Sequence, residues 1–408
     1  MAAKTVNQLF ETSAPQTAIN LEKAMALVQR ATGKSKVQQL AEIRSIRNNN
    51  PYPIEIPDYY LYGLFWPGRT AQDKAAYVSA NSCKKLNREL VPPGVRRMEP
   101  LIDNKILLPP VLNGAGLPTL RIQALVSTVR GRFGMIRLQT PADVAAFLQN
   151  DAEYPLFGKP INASRAIGGV WISGITPDKR ELILKNGDTI SLALATDQIF
   201  EHFSEGYLFQ DALQQHDAFR ALAGDTAVTF RISTLKRLGE SAYVAWTTCA
   251  LPGSSGGGVS RGKGKMYRAR VDLDTGRLNA ARAEEVSSQE VVYARQPDTG
   301  VQIEGLQVPF WEQAKKLAVD AHNLFPGQSI IGFDCMFGKD GPVVGELNSS
   351  PLTNAAQIAF GHGLRHEKLW PHFQAILDQN KRLAERRLAT AAPKPLTLRD
   401  KLRLLRGA

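Results

Sequence analysis

Residues 330–351 read IIGFDCMFGKDGPVVGELNSSP. Two apolar runs flank a Gly-Lys-Asp-Gly turn, which predicts a β-hairpin with strands over 330–337 and 342–348. In such a hairpin Asp334 and Glu346 can lie side by side, and Asn348 faces the same way as Glu346, because side chains alternate along a strand. Three oxygen donors on one face suit Mg²⁺ that holds nucleotide phosphates. The alternative is an exposed hairpin with incidental acids, and the shared face favours the metal site.

A second segment, YPLFGKPINASRAIGGVWI at 154–172, has features of a phosphate-binding loop. A predicted strand presents Lys159, and a loop with Ser164, Gly168 and Gly169 returns to the next strand. Backbone N–H groups in such a loop can cradle phosphates, and the lysine adds a point charge. Taken alone the signal is weak, since a lysine at the end of a strand is usually a surface residue.

A third segment, residues 206–235, contains a predicted strand that ends in Gln210 and Asp211, then a loop or short helix, then a strand with Arg231. An amide and a carboxylate at a strand end can bind an adenine edge, and an arginine can neutralise a transferring phosphoryl group. A surface helix with an arginine at the edge of the core explains this segment equally well.

The composition is that of a globular protein with anionic partners. The chain has 408 residues, 43% hydrophobic, with 50 Lys and Arg against 38 Asp and Glu, a net charge of +12. This excludes a wholly disordered or collagen-like chain and predicts two or three domains. Three widely spaced cysteines indicate no disulfide framework and favour a reducing compartment. With no secretory signal and no uninterrupted apolar span, we expect a cytoplasmic protein without transmembrane helices.

The N-terminal part of the chain is predicted to be helical. Apolar residues at steps of three and four, among them Val37 and Leu40, predict helix over 18–47 with an interruption at Gly33. The Asn- and Pro-rich segment 48–57 ends that unit. An aromatic cluster follows, and it is interpreted as a packed core rather than a base-stacking platform because basic residues are missing locally. Its members are Tyr59, Tyr60, Tyr62, Phe65 and Trp66.

From about residue 101 short strands alternate with helices, an α+β pattern rich in hairpins. Asn-Gly-Asp at 186–188 predicts a tight hairpin turn. Further strands are predicted over 120–126, 156–160, 169–173, 206–210, 226–234, 242–249, 265–272 and 288–293, and helices over 141–150 and 310–323.

The order of these motifs resembles the ATP-grasp superfamily, and most closely its sugar-transfer-associated branch. The likeness covers about three quarters of the chain, and the Asp…Glu-x-Asn element is its most specific part. Further matching segments are Asp103-Asn104-Lys105, Arg231-Ile232-Ser233-Thr234, VDLDTG at 271–276 and PDTG…VPFWEQ at 297–313. The chain departs from the pattern at Gln296, where the branch has a histidine, and at Asn104, which separates Asp103 from Lys105.

The resemblance implies an ATP-grasp fold, in which two α+β subdomains grip ATP, with an N-terminal helical segment and a basic helical tail. The implied units are a helical region 1–100, a first subdomain 101–205, a second subdomain 206–363 and a tail 364–408.

The resemblance also implies a site. Lys105 and Lys159 would contact ATP phosphates, with the 164–169 loop closing over them. Arg231 would face the γ-phosphate and the acyl phosphate. The adenine would lie against Gln210, Asp211 and Leu213, and two Mg²⁺ ions would be held by Asp334, Glu346 and Asn348.

The implied activity is ATP-dependent ligation of a small carboxylate, such as an amino acid or peptide, to an amine, such as an amino acid or amino sugar. An acyl phosphate would form first, and ADP and phosphate would be released. Two alternatives stay open: a phosphotransferase, and a non-catalytic nucleotide-binding protein of polysaccharide biosynthesis. No nucleic-acid recognition motif is present.

Other candidate motifs have simpler interpretations. In the glycine-rich stretch 253–264, Gly264 follows Lys263 where a P-loop has Ser or Thr, so we interpret the stretch as a flap whose Arg261 and Lys263 bind a substrate carboxylate. His362 and His366 have metal-ligand spacing without a third ligand, and Cys335 is assigned to the core. The tail 377–408, with nine basic and three acidic residues, is interpreted as a helix that docks on the body, with peripheral membrane contact as the alternative.

Overall fold

The computed structural model describes residues 4–10, 19–129, 131, 134–162, 168–224, 227–253, 266–286 and 291–390. The structure has a mixed sheet of seven strands and an antiparallel sheet of six strands, and both carry helices on their faces. Helical segments precede the first sheet and follow the second. The predicted α+β class, with helical N- and C-terminal segments, is confirmed.

The N-terminal region is helical. Its helices are α1 (Leu21–Thr32), α2 (Lys36–Asn48), α3 (Ile56–Leu61), α4 (Ala71–Ala75), α5 (Ala80–Leu90), α6 (Glu99–Ile102) and α7 (Leu108–Gly114). Gly33 ends α1 in the left-handed conformation, at φ 75°, and Ser35 begins α2 with a capping box. The break resets the buried face of the second helix, so the prediction that Val37 and Leu40 belong to the apolar stripe is wrong: they are 77% and 44% exposed.

The aromatic cluster after α2 is a packed core, as the sequence predicts. Tyr59, Tyr60, Tyr62 and Phe65 are at most 1% exposed, and Trp66 packs against them. The Tyr59 hydroxyl donates to Glu42 at 2.6 Å, so its polar end is satisfied inside the helical region. These rings are therefore unavailable for stacking on nucleic-acid bases.

The seven-stranded sheet has the order β2-β1-β7-β3-β4-β5-β6. Helices α8 (Pro141–Asn150) and α9 (Leu192–Phe203) share an apolar core with it. The Asn186-Gly187-Asp188 turn joins β5 to β6, as predicted. The strands are β1 (Ile122–Val126), β2 (Ile136–Leu138), β3 (Leu156–Pro160), β4 (Val170–Ile175), β5 (Glu181–Leu184), β6 (Thr189–Ser191) and β7 (Tyr207–Asp211).

The six-stranded sheet follows α10 (Asp217–Ala223) and has the order β11-β10-β9-β8-β12-β13. Its strands are β8 (Thr229–Leu235), β9 (Tyr243–Pro252), β10 (Met266–Arg270), β11 (Arg282–Ala283), β12 (Ile330–Gly338) and β13 (Gly341–Asn348). One face buries Phe230, Phe333 and Phe337 in a core shared with α11 (Trp311–Asn323). Over 291–293, where a strand is predicted, Tyr293 forms an isolated bridge to Ala281.

Two further helices, α12 (Asn354–Phe360) and α13 (Trp370–Thr390), return the chain to the N-terminal region. The Asn380 amide donates to the carbonyls of Glu89 and Leu90, which anchors α13 at the end of α5. Helix α13 contains the first part of the basic segment 377–408. The TLRDKLRLLR part of that segment lies outside the described residues. Within the described residues, no helix is both long and apolar enough to cross a membrane.

Strand β7 and residues 4–10 both join the seven-stranded sheet. Strand β7, which the predicted boundary at 205/206 assigns to the second unit, is hydrogen-bonded between β1 and β3. Thr5 forms a parallel bridge to Thr189, and Leu9 and Phe10 are buried in the core of the same sheet. The seven-stranded sheet is therefore formed by segments that are far apart in sequence, from residues 4–10 to β7.

Candidate functional site

The β12–β13 hairpin places the predicted metal ligands together. Asp334 pairs with Glu346, and Asn348 pairs with Gly332, so the prediction that these side chains share one face is confirmed in the backbone register. A bulge follows Asp334, because Cys335 pairs with Val344 and leaves Gly345 as the additional residue. Cys335 itself is buried in the core on the opposite face, as predicted.

Arg231 extends this arrangement to the next strand. It pairs with Asp334 in the sheet, and its Nε and Nη2 donate to the two carboxylate oxygens at 2.7 and 3.0 Å. Burial lowers the pKa of the Arg231 guanidinium, but the charge and hydrogen bonds of Asp334 and the charge of Glu346 together outweigh it, so the net pKa lies above its usual value. The sequence gives no sign of this ion pair, since the two residues are 103 positions apart.

A glycine makes room for Arg231. A Cβ on Gly332 would lie 2.7 Å from the Cβ of Pro351 and 3.0 Å from the Cδ of Arg231. Any side chain at this position would push the arginine or the loop after β13 out of place. The contact between Asp334 and Arg231 therefore requires glycine at position 332, which is in the same strand as Asp334.

Glu346, Asp334 and Arg231 form a charged row across three neighbouring strands. Lys159, on β3 of the other sheet, faces this charged row across a narrow cleft. Lys105, Lys159, Gln210 and Glu346 line the cleft together with mainly apolar residues of β1, β13 and the 102–109 segment. The pKa of Lys159 is lowered to about 8, mainly by burial and in part by the charge of Lys105, while the charges of Glu346 and Asp334 oppose the shift. Residues predicted from three separate motifs thus meet at one cleft.

The Asp103-Asn104-Lys105 segment is fastened to the strand that carries Glu346 and Asn348. The Asp103 carboxylate accepts from the backbone N–H of Ser349 at 2.8 Å and from its hydroxyl at 2.6 Å. Asn104, which departs from the branch pattern, accepts the N–H groups of residues 106 and 107 at the start of α7. Sequence reasoning assigned no role to either contact. Together they fix the position from which Lys105 reaches the cleft.

A family model described as sugar-transfer associated ATP-grasp matches residues 94–370. The chain belongs to this family. The resemblance that the motifs indicate is therefore confirmed over the two sheets and the helices between them.

Other comparisons give more distant likenesses. No curated protein matches the chain. Among solved structures, L-amino acid ligase from Bacillus licheniformis is 15% identical, with TM-score 0.35, over 69% of this chain and 47% of that chain. N5-carboxyaminoimidazole synthase from Aspergillus clavatus is 14% identical, with TM-score 0.39, over 76% and 63%. D-alanine-D-alanine ligase from Coxiella burnetii is 12% identical, with TM-score 0.37, over 70% and 59%. This chain thus spans 47–63% of the length of these proteins.

In this sugar-transfer-associated ATP-grasp protein, the predicted adenine contacts divide between two clefts. Gln210, 5% exposed, lines the cleft with Lys159. Asp211 and Leu213 line a neighbouring cleft of about 620 Å³ on the side of α11, and Leu120 borders both clefts. The Asp211 carboxylate accepts two hydrogen bonds from Arg121 at 3.1 Å and one from Gln123 at 2.7 Å.

The end of the predicted phosphate loop is tightly packed. Gly168 has φ 73°, and a Cβ on it would lie 2.6 Å from Phe203 and 2.7 Å from Pro160. Its carbonyl accepts from the Tyr207 hydroxyl at 3.0 Å. Gly169 lies between this anchor and β4. The other predicted contacts on loops, Ser164, Arg261 and Lys263, lie outside the described residues.

The three predicted ligands Asp334, Glu346 and Asn348 fit Mg²⁺ by their chemistry. Asp334 and Glu346 supply carboxylate oxygens, and Asn348 an amide oxygen, the ligand type that Mg²⁺ prefers. Among the described residues the Asn348 Nδ2 atom is buried without a hydrogen-bond partner, so this amide is not used to hold the fold together. By contrast, the His362 and His366 rings stack on each other, with centroids 4.0 Å apart, outside any helix.

Proposed function

We propose that this protein is an ATP-dependent ligase that joins a carboxylate to an amine through an acyl phosphate. The observation that carries the proposal is the charged row Glu346–Asp334–Arg231, which faces Lys159 of the other sheet across a cleft that Lys105 also lines. Carboxylates at one end of the row and cations around it suit a triphosphate bound with magnesium. The proposed substrates are amino acids, peptides or amino sugars.

Different residues of the cleft are proposed to bind the phosphates, the adenine and the magnesium. Lys105 and Lys159 would bind the phosphate oxygens of ATP, with Gly168 and Gly169 at the end of the loop beside them. Gln210 would contact the nucleotide from β7, and Asp211 and Leu213 would bind adenine from the neighbouring cleft. Asp334, Glu346 and Asn348 would hold Mg²⁺, which when bound offsets negative charge on the phosphates.

Arg231 is the proposed contact to the transferring phosphoryl group. Its planar fork already makes two parallel hydrogen bonds to the Asp334 carboxylate, and phosphoryl oxygens offer the same acceptor geometry. In the proposed reaction a carboxylate oxygen attacks the γ-phosphorus and the bond to ADP breaks. The amine nitrogen then attacks the acyl carbon, phosphate leaves, and the amine gives up one proton.

This mechanism needs no nucleophilic side chain, and the cysteines are unsuited to that role. Cys83, Cys249 and Cys335 are all buried. Burial raises the pKa of each thiol, that of Cys335 to about 12, so the reactive thiolate form is scarce at neutral pH. We further propose that the two sheets correspond to the two ATP-grasp subdomains, on either side of the cleft.

The test is release of ADP and phosphate with Mg·ATP and pooled carboxylates and amines, followed by mass spectrometry of the product. We expect Asp334→Asn and Glu346→Gln to lower turnover about 100-fold or more, since each removes a charged oxygen donor. Asp378→Asn, an exposed carboxylate on α13, is the control and should retain activity. Full turnover in Asp334→Asn would contradict the metal assignment.

The products separate this activity from its alternatives. A ligase gives free phosphate and an amide in equal amounts. A phosphotransferase gives a stable phosphorylated acceptor, and a non-catalytic protein binds nucleotide without releasing ADP. Either of these results would overturn the proposed ligation.

A further inference from the structure

The segment 349–353 leads from Asn348, at the end of β13, to helix α12. We call it the exit loop. Its Pro351 borders the site, because a Cβ on Gly332 would lie 2.7 Å from the Cβ of Pro351 and 3.0 Å from the Cδ of Arg231. A shift of the exit loop would therefore disturb two proposed site residues, Asn348 through the chain and Arg231 through packing.

The exit loop is hydrogen-bonded to helix α5 of the N-terminal region. The Asn87 Nδ2 donates to the carbonyl of Pro351 at 3.0 Å and to the hydroxyl of Ser350 at 3.1 Å. The Cys83 thiol donates to the same Pro351 carbonyl at 3.4 Å, and the Thr353 hydroxyl donates to the Cys83 Sγ at 3.6 Å. These contacts join residues that are 263 to 270 positions apart in the chain.

The sequence of α5 places both donors on one face of the helix. Cys83 and Asn87 are four positions apart, which is about one helical turn. They are 0% and 4% exposed, so this face is buried. Helix α5 ends at Leu90, before the segment 94–370 that the family model matches. Residues outside the matched segment thus support the loop beside the site.

Asn87 is an unfavourable residue for the interior of a buried helix. Asparagine has a low helix propensity, and the Asn87 Oδ1 is buried without a hydrogen-bond partner among the described residues. Leucine at this position would avoid both costs. The asparagine instead supplies the two hydrogen bonds from its Nδ2, and both of them end on the exit loop.

We propose that Asn87 is a positioning residue of the nucleotide site, which holds the exit loop so that Asn348 and Arg231 keep their places. It contacts neither substrate nor metal and acts through Ser350 and Pro351. The N-terminal helical region then contributes to the site, although it precedes the matched segment. The effect on magnesium rests on the proposed function, whereas the hold on the exit loop does not.

Hydrogen–deuterium exchange with mass spectrometry tests the hold on the exit loop, in the full chain without nucleotide. Asn87→Leu removes the amide donor with little change in volume. We expect exchange in a peptide covering residues 346–353 to become about tenfold faster, because the loss of a buried hydrogen bond favours local opening.

Asn380→Leu is the matched control. The Asn380 Nδ2 also donates to two acceptors, the carbonyls of Glu89 and Leu90, and its Oδ1 is likewise buried without a partner in the described part of the chain. It bonds the last residues of α5 instead of the exit loop. We expect a similar loss of Tm in both variants but faster exchange of the exit loop in Asn87→Leu alone. Equal exchange of the loop in the two variants would overturn the proposal.

A second variant covers the case in which Asn87→Leu does not fold. Ser350→Ala removes one of the two acceptors from an exposed position of the exit loop. We then expect exchange of the same peptide to become about threefold faster, as for one weakened hydrogen bond. Exchange as slow as in the unmodified protein would overturn the proposal.

Titration with Mg²⁺, at a fixed concentration of a non-hydrolysable ATP analogue, tests the consequence for the site. We expect Asn87→Leu to need about tenfold more Mg²⁺ for half-maximal binding of the analogue, as for other residues that orient metal ligands. Asn380→Leu should need the same Mg²⁺ concentration as the unmodified protein. Faster loop exchange with an unchanged Mg²⁺ dependence would overturn the positioning role.

The two measurements also separate this proposal from the ligase proposal. If the unmodified protein does not bind the analogue, while Asn87→Leu still speeds exchange of the exit loop, the proposed function fails and the hold of α5 on the loop remains.

Discussion

The ammonium group of Lys159 must be charged to bind phosphates, but its position in the protein disfavours the charge. Its pKa is lowered to about 8, mainly by burial in the cleft. Glu346 and Asp334 oppose this shift and Lys105 adds to it. Phosphates bound beside it would favour the protonated form, so in the proposed role the nucleotide adds to the countercharge that Glu346 and Asp334 supply.

Lys159→Met should therefore stabilise the protein without nucleotide and impair nucleotide binding. Because the pKa is lowered on folding, the unfolded chain binds more protons between about pH 8 and 10.5, and stability rises with pH across that window. Below pH 8 the penalty of the buried charge is fully present. The methionine variant should thus have the higher Tm at pH 7, and its advantage should shrink towards pH 10.5.

Thermal unfolding at pH 7 and pH 10 measures this difference, and titration with ATP measures the loss of affinity. Lys381→Met, at an exposed position of α13, controls for the removal of one lysine. A methionine variant with a lower Tm at pH 7 would show that the lysine stabilises the free protein.

Among the structural elements, the turn into β4 gives a test of the phosphate loop. Gly168→Ala should destabilise the protein and raise KM for ATP, because alanine at φ 73° is strained and its Cβ would collide with Phe203 and Pro160. Gly187→Ala is the matched control, with φ 83° and no atom within 4 Å of its Cβ. We expect Gly168→Ala to cost about 1–3 kcal/mol more than the control, the usual penalty of overpacking.

Urea denaturation measures the two stabilities, and steady-state ADP release measures KM. Equal stability losses would mean that only the backbone conformation matters at residue 168. An unchanged KM would separate this anchor from nucleotide binding.

The contact between Asp103 and Ser349 joins the Lys105 segment to β13, and it can be measured as a pair. Asp103→Ala should cost about 1–3 kcal/mol, because the buried N–H of Ser349 loses its acceptor. Ser349→Ala removes the hydroxyl bond alone. A double-mutant cycle of unfolding free energies should give a coupling of about 0.5–3 kcal/mol. A coupling near zero would contradict the contact.

Local elements were predictable where the signal is short-range. The 330–351 hairpin follows from two apolar runs and a turn, so the pairing of Asp334 with Glu346 is readable from the sequence. The face of α2 was not, because the capping at Gly33 and Ser35 shifts the helical phase by an amount that periodicity does not reveal. The Arg231–Asp334 pair needs the register between β8 and β12, which is fixed by long-range packing.

At the scale of the whole molecule, α13 ties the C-terminal part of the chain to the six-stranded sheet. Phe373 is fully buried, and its ring stacks with Trp246 at 5.8 Å and Trp370 at 5.9 Å. Phe373→Ala should lower the free energy of unfolding by about 3–5 kcal/mol, the usual cost of removing a buried aromatic ring. Gln374→Ala, at the exposed neighbouring position, should cost little.

Urea titration followed by tryptophan fluorescence and by circular dichroism checks this. Because Phe373 joins a helix and a sheet in one apolar cluster, both signals should shift to lower urea together. A shift in the fluorescence transition alone would mean that α13 unfolds as a separate unit.

The order of motifs was enough to identify the family, but not to map the whole site. Lys105, Lys159, Gln210 and Glu346 do meet at one cleft, whereas Asp211 and Leu213 line its neighbour. Successive residues at a strand end point in different directions, and which cleft each one enters depends on the opposing sheet.

The docking of residues 4–10 on the seven-stranded sheet has a consequence for biosynthesis. Thr5 bridges to Thr189, and the Leu9 N–H donates to Gln198 at 2.7 Å, so these contacts span 184 and 189 positions. On a ribosome the partner strand emerges about 10–40 s after residue 5. Residues 4–10 therefore cannot make these contacts until their partner residues have been synthesised, and we expect them to dock on the sheet last. Substitutions at Leu9 or Phe10 should accordingly hasten unfolding more than they slow folding.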